Sequence, residues 1–349
     1  MALTLLTGAP GWLGTRLVRV LLEGLDDVPS LAAPDGARQI RCLVIPGLDS
    51  SMVGPADRVQ VVRGNLRDRE AVQALCRDAA GATLFHCAGV VHPARFVREL
   101  YEINVDGTRR LLQAAEEAGV RRAVMLSSNS PAGTNPCRDD RFDEQSPYRP
   151  YMAYGRSKML MELAVHEYQA RGKLETVIVR PTWFYGPGQP QRQTSFLRMI
   201  KKGAAPILGD GGNMRSMTYI DNLCQALLLC EREPGASGQT YWVSDRRPYS
   251  MNEIVDTVER LMEEEFGLTV AHKRLRLPSL AGEVAGFADG LIQKLGLYQQ
   301  KVHVLSEMNK NIACSVEKAQ RELGYAPTVE LEEGMRRSLK WCRAQGIEL

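Results

Sequence analysis

The chain has 349 residues, enough for one large or two medium domains around a sizeable core. Its 44 Lys and Arg nearly balance 41 Asp and Glu, and no long run of either sign stands out, so nothing asks for nucleic acid as a partner. The eight cysteines contain no C-x-x-C pair, the five histidines are scattered, and no apolar run approaches the ~18 residues that span a bilayer. With a first strand from Leu3 there is no room for a cleavable leader. These features predict a cytoplasmic protein with free thiols, no metal site and no membrane partner.

In chain order, residues 3–7 read as a buried strand and Trp12 to Glu23 as a helix, with Gly8, Gly11 and Gly14 at the junction. Glycines there let backbone N–H groups at a helix N-terminus meet a dinucleotide pyrophosphate. Further strands are predicted near 40–45, 59–63, 83–87, 121–127 and 174–180, and further helices near 68–79, 97–118, 150–171 and 193–203. This alternation is the pattern of a parallel sheet covered on both faces. The connection 24–39, with Gly24, Pro29, Pro34 and Gly36, reads as an exposed insertion. From about 181 the composition shifts to Gly/Pro-punctuated loops, the mark of a second, smaller lobe. It is interleaved: a helix over 220–231, capped by Asp221, and a strand over 239–244 are expected to return to the main sheet. The division is thus a dinucleotide-binding domain over 1–180, with 220–245 returning to it, and a mainly substrate-binding lobe over 181–349. Leu277, Leu280, Val284, Phe287, Ala288, Leu291 and Leu295 recur at helical spacing in 274–305. That stretch reads as a core helix, with an apolar pocket lining or a dimer contact as alternatives. Residues 315–325 and 330–345 read as closing helices.

The chemistry centres on Tyr154-Gly155-Arg156-Ser157-Lys158. In a helix over 150–171, Tyr154 and Lys158 stand on one face, one turn apart. An ammonium beside a phenol favours the phenolate, so the pair could act as acid or base near neutral pH. Tyr148 and Tyr151 lack a lysine four residues on.

Taken with the T-G-x-x-G-x-x-G turn at 7–14, the chain resembles the extended short-chain dehydrogenase/reductases, the NAD-dependent epimerase/dehydratase family. The other matching pieces are His86-Cys87-Ala88-Gly89, Asn104-Val105-Asp106-Gly107-Thr108, Leu126-Ser127-Ser128, Arg180-Pro181 with Tyr185-Gly186-Pro187-Gly188, Tyr219-Ile220-Asp221-Asn222 and Leu323-Gly324-Tyr325. The resemblance implies a Rossmann-type doubly wound parallel sheet, with an interleaved α/β substrate-binding lobe at the C-terminal side, and a homodimer through the 97–118 and 150–171 helices. It makes Ser128, Tyr154 and Lys158 the catalytic set, with Asn104 in support. The cofactor would lie along Gly8, Gly11, Trp12, Leu13, Gly14, Asn65, Leu66, Cys87, Ala88, Gly89 and Pro181, with Tyr154 and Lys158 at the nicotinamide end.

The end of the second strand, Arg41-Cys42-Leu43-Val44-Ile45-Pro46-Gly47, carries neither the acid that binds the ribose of NAD nor the basic residue that binds the phosphate of NADP. Asp49 could reach the ribose, which leans the cofactor to NAD with NADP left open. For the small-molecule substrate the candidates are His92, Ser128, Trp183 and Arg215, the last in a segment resembling the diphosphate-binding arginine of nucleotide-sugar enzymes. Dehydratases of the family place Asp-Glu after the catalytic hydroxyl residue, and decarboxylases a Glu two residues after it; here Asn129 and Ser130 follow Ser128. A nucleotide-sugar epimerase is therefore expected. Trp183 and the 274–305 insertion argue for the alternative, a net dehydrogenase or reductase of an apolar ketone or alcohol of the 3β-hydroxysteroid or dihydroflavonol type. A non-catalytic dinucleotide-sensing regulator is the remaining reading, and the surviving Tyr and Lys argue against it.

Overall fold

The computed structural model describes residues 3–33, 35–51 and 53–349. Seven parallel strands form one sheet in the spatial order Val59–Arg63, Gln39–Val44, Leu3–Thr7, Thr83–His86, Arg122–Leu126, Glu175–Pro181 and Thr240–Val243. Every residue of Thr83–His86 and Arg122–Leu126 is buried, as central strands covered on both faces must be. The strand order reverses beside Leu3–Thr7, which pairs with Gln39–Val44 on one side and Thr83–His86 on the other. At such a switch point the carboxyl ends of the strands open a crevice for ligands. The Ile220–Arg232 helix packs under the sheet and Thr240–Val243 extends it, so the chain returns to its first half after residue 219.

Several expectations are corrected. The 24–39 connection is not merely exposed: Leu25, Val28 and Leu31 are buried in the main core, and Arg38 makes a buried ion pair of 2.8 Å with Glu231. Its apolar residues, three apart around a short Pro29–Leu31 turn, form an ordered strap; Pro34 lies outside the described residues. Asp221 does not cap its helix. Tyr219 occupies the N-cap position without a side-chain bond, and Asp221 instead meets Arg16 at 2.5 Å. The Met251–Glu264 helix was not anticipated, although Ser250 caps it through Glu253 N–H and Ile254, Val255, Val258, Leu261 and Met262 bury one face.

The largest departure is in 274–305. A hairpin of two helices, Ser279–Lys294 and Gln300–Glu307, replaces the expected core helix. Its first helix buries Gly282, Ala285 and Asp289 and turns its large apolar residues outward, with Phe287 79% and Leu295 71% exposed. Periodicity identified a face but not the direction in which it points.

Candidate active site

The glycine turn fits a dinucleotide because no side chain could replace its hydrogens. Gly8 adopts φ 100°, and a Cβ there would stand 2.7 Å from the Cys87 carbonyl carbon. A Cβ at Gly14 would stand 2.4 Å from the Gly8 oxygen, so helix and turn approach as closely as backbone allows. Leu13 is buried behind the turn, and Trp12 Nε1 donates to the Pro187 carbonyl at 2.7 Å. Across the switch point, Ala88 N–H donates to Thr7 Oγ1, whose other partner is His86 Nδ1 at 2.7 Å. Burial pushes His86 down to about 3, so this ring is a neutral brace. Leu66 is buried against Gly107, and Asn65 Oδ1 accepts from Arg67 N–H. Pro181 ends its strand with its carbonyl taking Asn129 N–H. At the expected adenosine end, Arg41 is committed to Gln60 and to the Leu75 and Arg77 carbonyls. Asp49 is exposed and caps Ser51.

Tyr154, Ser157 and Lys158 lie on the Met152–Ala170 helix, which is entered through Met152 in a left-handed conformation, φ 54°. Lys158 is buried with its ammonium on the Leu126 carbonyl at 2.9 Å, and a Cβ at Gly89 would lie 3.4 Å from that nitrogen. Burial brings Lys158 down to about 8, against the pull of Glu162. The phenol of Tyr154 is held up at about 12 by burial, with the Ser128 hydroxyl acting the other way. The phenol thus stands above its ordinary value, not below it as expected. Ser127 Oγ is committed to buried Glu162 at 2.5 Å, whereas Ser128 Oγ makes only long bonds, to Ser130 Oγ at 3.3 Å and Asn129 Oδ1 at 3.4 Å. Glu162 also takes Arg180, at 2.6 Å, and the Tyr148 hydroxyl. This cluster left no signal in the sequence beyond the individual residues.

Asn104 makes no hydrogen bond to the Ser128, Tyr154 or Lys158 side chain among the described residues. It sits in a π-helical turn, Glu102–Gly107, the kind of irregularity that recurs at functional sites. Its amide bonds both the N–H and the carbonyl of Val90 at 2.8 Å and reaches Ser157 Oγ at 3.0 Å. Asn104 thus ties the loop after Gly89 to the Met152–Ala170 helix.

The 279–307 hairpin roofs the site with its polar side. Tyr151 donates to Ser306 Oγ at 2.7 Å, and Ala153 N–H to Gln293 Oε1 at 2.9 Å. Buried Asp289 accepts from His303 at 2.7 Å. Burial works to lower His303, but Asp289 and Glu307 prevail and hold it above its ordinary value. His92 is engaged on both nitrogens, by the Tyr298 hydroxyl at 2.5 Å and by Arg192, and burial drives it down to about 3. It pins the 90–97 loop to the hairpin. Arg192, which sequence reasoning passed over, is exposed in the first turn of the Gln191–Lys201 helix, and its charge is felt at Tyr154. Arg215 donates to the Glu307 carbonyl at 2.5 Å, and its Nε is buried without a partner. Neither guanidinium has a carboxylate ion pair among the described residues. Trp183 is half-buried, edge-on to Phe196 at 5.7 Å, and packs on the main core.

Residues 4–244 match the model of the NAD dependent epimerase/dehydratase family. The chain belongs to that family. It is an enzyme of the short-chain dehydrogenase/reductase type, and NAD is its cofactor. It is 49% identical over 345 residues, covering 99% of this chain and 96% of the relative, to an uncharacterized protein, y4nL, of Sinorhizobium fredii. It is 29% identical over 315 residues, 84% of this chain and 70% of the relative, to 3beta-hydroxysteroid-dehydrogenase/decarboxylase isoform 1 of Arabidopsis thaliana. Among solved structures it is similar to DesIV, a dTDP-glucose 4,6-dehydratase of Streptomyces venezuelae with NAD and TYD bound. That match has a TM-score of 0.73 at 25% identity and covers 98% of this chain and 97% of the other. No described helix is long and apolar enough to cross a membrane.

Proposed function

We propose that this protein is a nucleotide-sugar epimerase working through Ser128, Tyr154 and Lys158. The observation that carries the reading is the polar roof. The insertion meets the start of the Tyr154 helix through Gln293 and Ser306, brings the Glu307 charge near Tyr154, and turns its large apolar residues away, which suits a hydroxyl-rich ligand better than a sterol-like one. Arg192 and Arg215 supply two cations without carboxylate partners, which suits a diphosphate. Asn129 and Ser130 provide no carboxylate for elimination or decarboxylation, which separates this chain from the chemistry named for its plant relative and its solved neighbour.

NAD supplies the hydride acceptor and donor when bound. On the protein side, the Tyr154 hydroxyl exchanges a proton with the sugar oxygen while Ser128 Oγ donates to that oxygen as charge develops. Lys158, held on the Leu126 carbonyl and facing Gly89, orients the nicotinamide ribose. Asn104 keeps the Val90 backbone and Ser157 in register. Residues 1–180 with 220–245 carry the dinucleotide, and the rest of 181–349 the sugar. Trp183 bounds the cleft as a wall. His92 acts through Arg192 and Tyr298. All eight cysteines are free thiols, which supports a cytoplasmic setting, and Leu163, exposed beside the Arg109–Glu167 pair, supports a homodimer through the 98–117 and 152–170 helices.

A panel of UDP-, dTDP- and GDP-sugars tests the reading. Interconversion of one pair of epimers without net NADH is expected; a panel in which nothing binds or turns over overturns it. The likeness to the plant 3β-hydroxysteroid enzyme favours the second reading, reduction of an apolar ketone, which predicts stoichiometric NAD(P)H consumption with such a ketone.

A further inference from the structure

The Ser279–Lys294 helix is built inside out. Projected at 100° per residue, Leu280, Val284, Phe287, Leu291 and Leu295 fall on one narrow face, and all five are more than half exposed. The opposite face carries Gly282, Ala285 and Asp289, all buried, and a Cβ at Gly282 would collide with Asn309 at 2.6 Å. The helix is therefore held in this orientation from beneath: small residues admit the second helix of the hairpin, and Asp289 is fixed by His303 and Gln293. The stripe is about 22 Å long at the α-helical rise. At its far end the 90–97 loop extends it, with Phe96, 51% exposed, bridged to Leu297. Isolated exposed apolar residues are ordinary, but five large ones on one face next to an exposed phenylalanine are not.

Charge indicates what covers this face. Lys294 and Lys301 are exposed on the hairpin and form no ion pair among the described residues, and Arg95 lies over the Phe96 ring, its centroid 5.0 Å away. The acid beside the stripe, Glu283, is taken by Lys310 at 2.5 Å, and Asp289 is buried. An apolar stripe with an uncompensated basic border is the pattern of a helix lying in the plane of a membrane surface. A second copy placed on the same face would bring lysines against lysines around the contact.

We propose that the outer face of the 279–307 hairpin docks on an anionic lipid bilayer, with Phe287 and the four aliphatic residues in the headgroup–acyl boundary. No spanning helix is required for this, so the absence of an 18-residue apolar run does not bear on it. The polar side of the same hairpin roofs the active site, so docking brings the cleft to the headgroup layer. The proposal rests on the exposed face and its charge, and is independent of the substrate assigned above.

Sedimentation of the full chain with vesicles tests it. Binding to phosphatidylcholine/phosphatidylglycerol vesicles is expected to exceed binding to phosphatidylcholine alone by about tenfold or more, and to weaken with added salt. The double variant Phe287→Asp/Leu291→Asp, at exposed positions and with circular dichroism as the control for folding, should lose that binding by about tenfold or more and keep its turnover of a water-soluble substrate. Vesicle binding that survives the double variant overturns the proposal, as does no vesicle binding. A dimer in light scattering that the double variant dissociates, with no vesicle binding, assigns the face to a second copy and likewise overturns it.

Discussion

Two helices that meet at the Ala153–Gln293 hydrogen bond obey opposite rules. Met152–Ala170 buries Ser157, Lys158 and Glu162 as well as its apolar residues, and surrounds each polar group with partners: Lys158 on a carbonyl, Glu162 in the centre of Ser127, Tyr148 and Arg180. Ser279–Lys294 buries glycine, alanine and one aspartate, and leaves its leucines in water. The first helix has almost no amphipathic pattern to read, yet its Tyr and Lys four apart announce it. The second has a clear pattern and misleads, because apolar spacing marks a face without saying what covers it. What determines orientation in the second helix is the other side, where small residues permit close packing and Asp289 has a histidine to hold.

Each half of this contrast can be broken separately. The largest effect belongs to Tyr154→Phe, which removes the oxygen proposed to transfer the proton and keeps the ring. Turnover should fall by about 10²-fold or more with NAD binding retained, measured by steady-state kinetics beside NAD titration. Unchanged turnover would remove Tyr154 from the chemistry.

Next is Arg180→Met, which strands the buried Glu162 carboxylate. A loss of about 3 kcal/mol in denaturant unfolding is expected, the scale for breaking one half of a buried pair. A loss under ~1 kcal/mol would mean that Ser127 and Tyr148 suffice to hold the carboxylate.

Lys158 tests the burial argument through pH. Its folded-state value is depressed from 10.5 to about 8, so between these values the unfolded chain binds the extra proton. Stability contributed by this group therefore rises as pH increases from about 8 to 10.5, and at neutral pH the ammonium is a cost to the fold. Lys158→Met should flatten the melting temperature against pH in that window without lowering it at pH 7, while weakening NAD binding about tenfold. A variant that melts much lower at pH 7 would show that the ammonium stabilises the fold.

The smallest effect is the sharpest test of the inverted helix. Leu291→Ser should change stability by less than ~0.5 kcal/mol, as a surface substitution does, where a core leucine would cost several. Thermal unfolding distinguishes the two.

The sheet was legible because its strands are short apolar runs between helical periods, and the six strands expected before residue 181 lie within two residues of those found. The glycine turn was legible because Gly8 and Gly14 have no substitute at those separations. Most of the second lobe was not. Strands of two or three residues, such as Met214–Arg215 against Tyr249–Ser250, carry too little periodicity to announce themselves. Helix Met251–Glu264 is different, since its Ser250–Glu253 box was there to be read. In the candidate site, Tyr154 and Lys158 were named from their spacing and Ser128 from the family resemblance. Arg192, His303 and Asp289 were not, because they converge from elements 40 to 150 residues away from that motif and a lone residue of each type carries no signal.

The most direct test of the epimerase account is to purify the protein without added cofactor, release any bound nucleotide by acid, and identify and count it by mass spectrometry and absorbance. The account predicts near-stoichiometric NAD(H), held in place because the hydride leaves and returns within one turnover. A protein that comes off the column empty and binds NADP(H) reversibly would contradict it and assign the site to net redox chemistry.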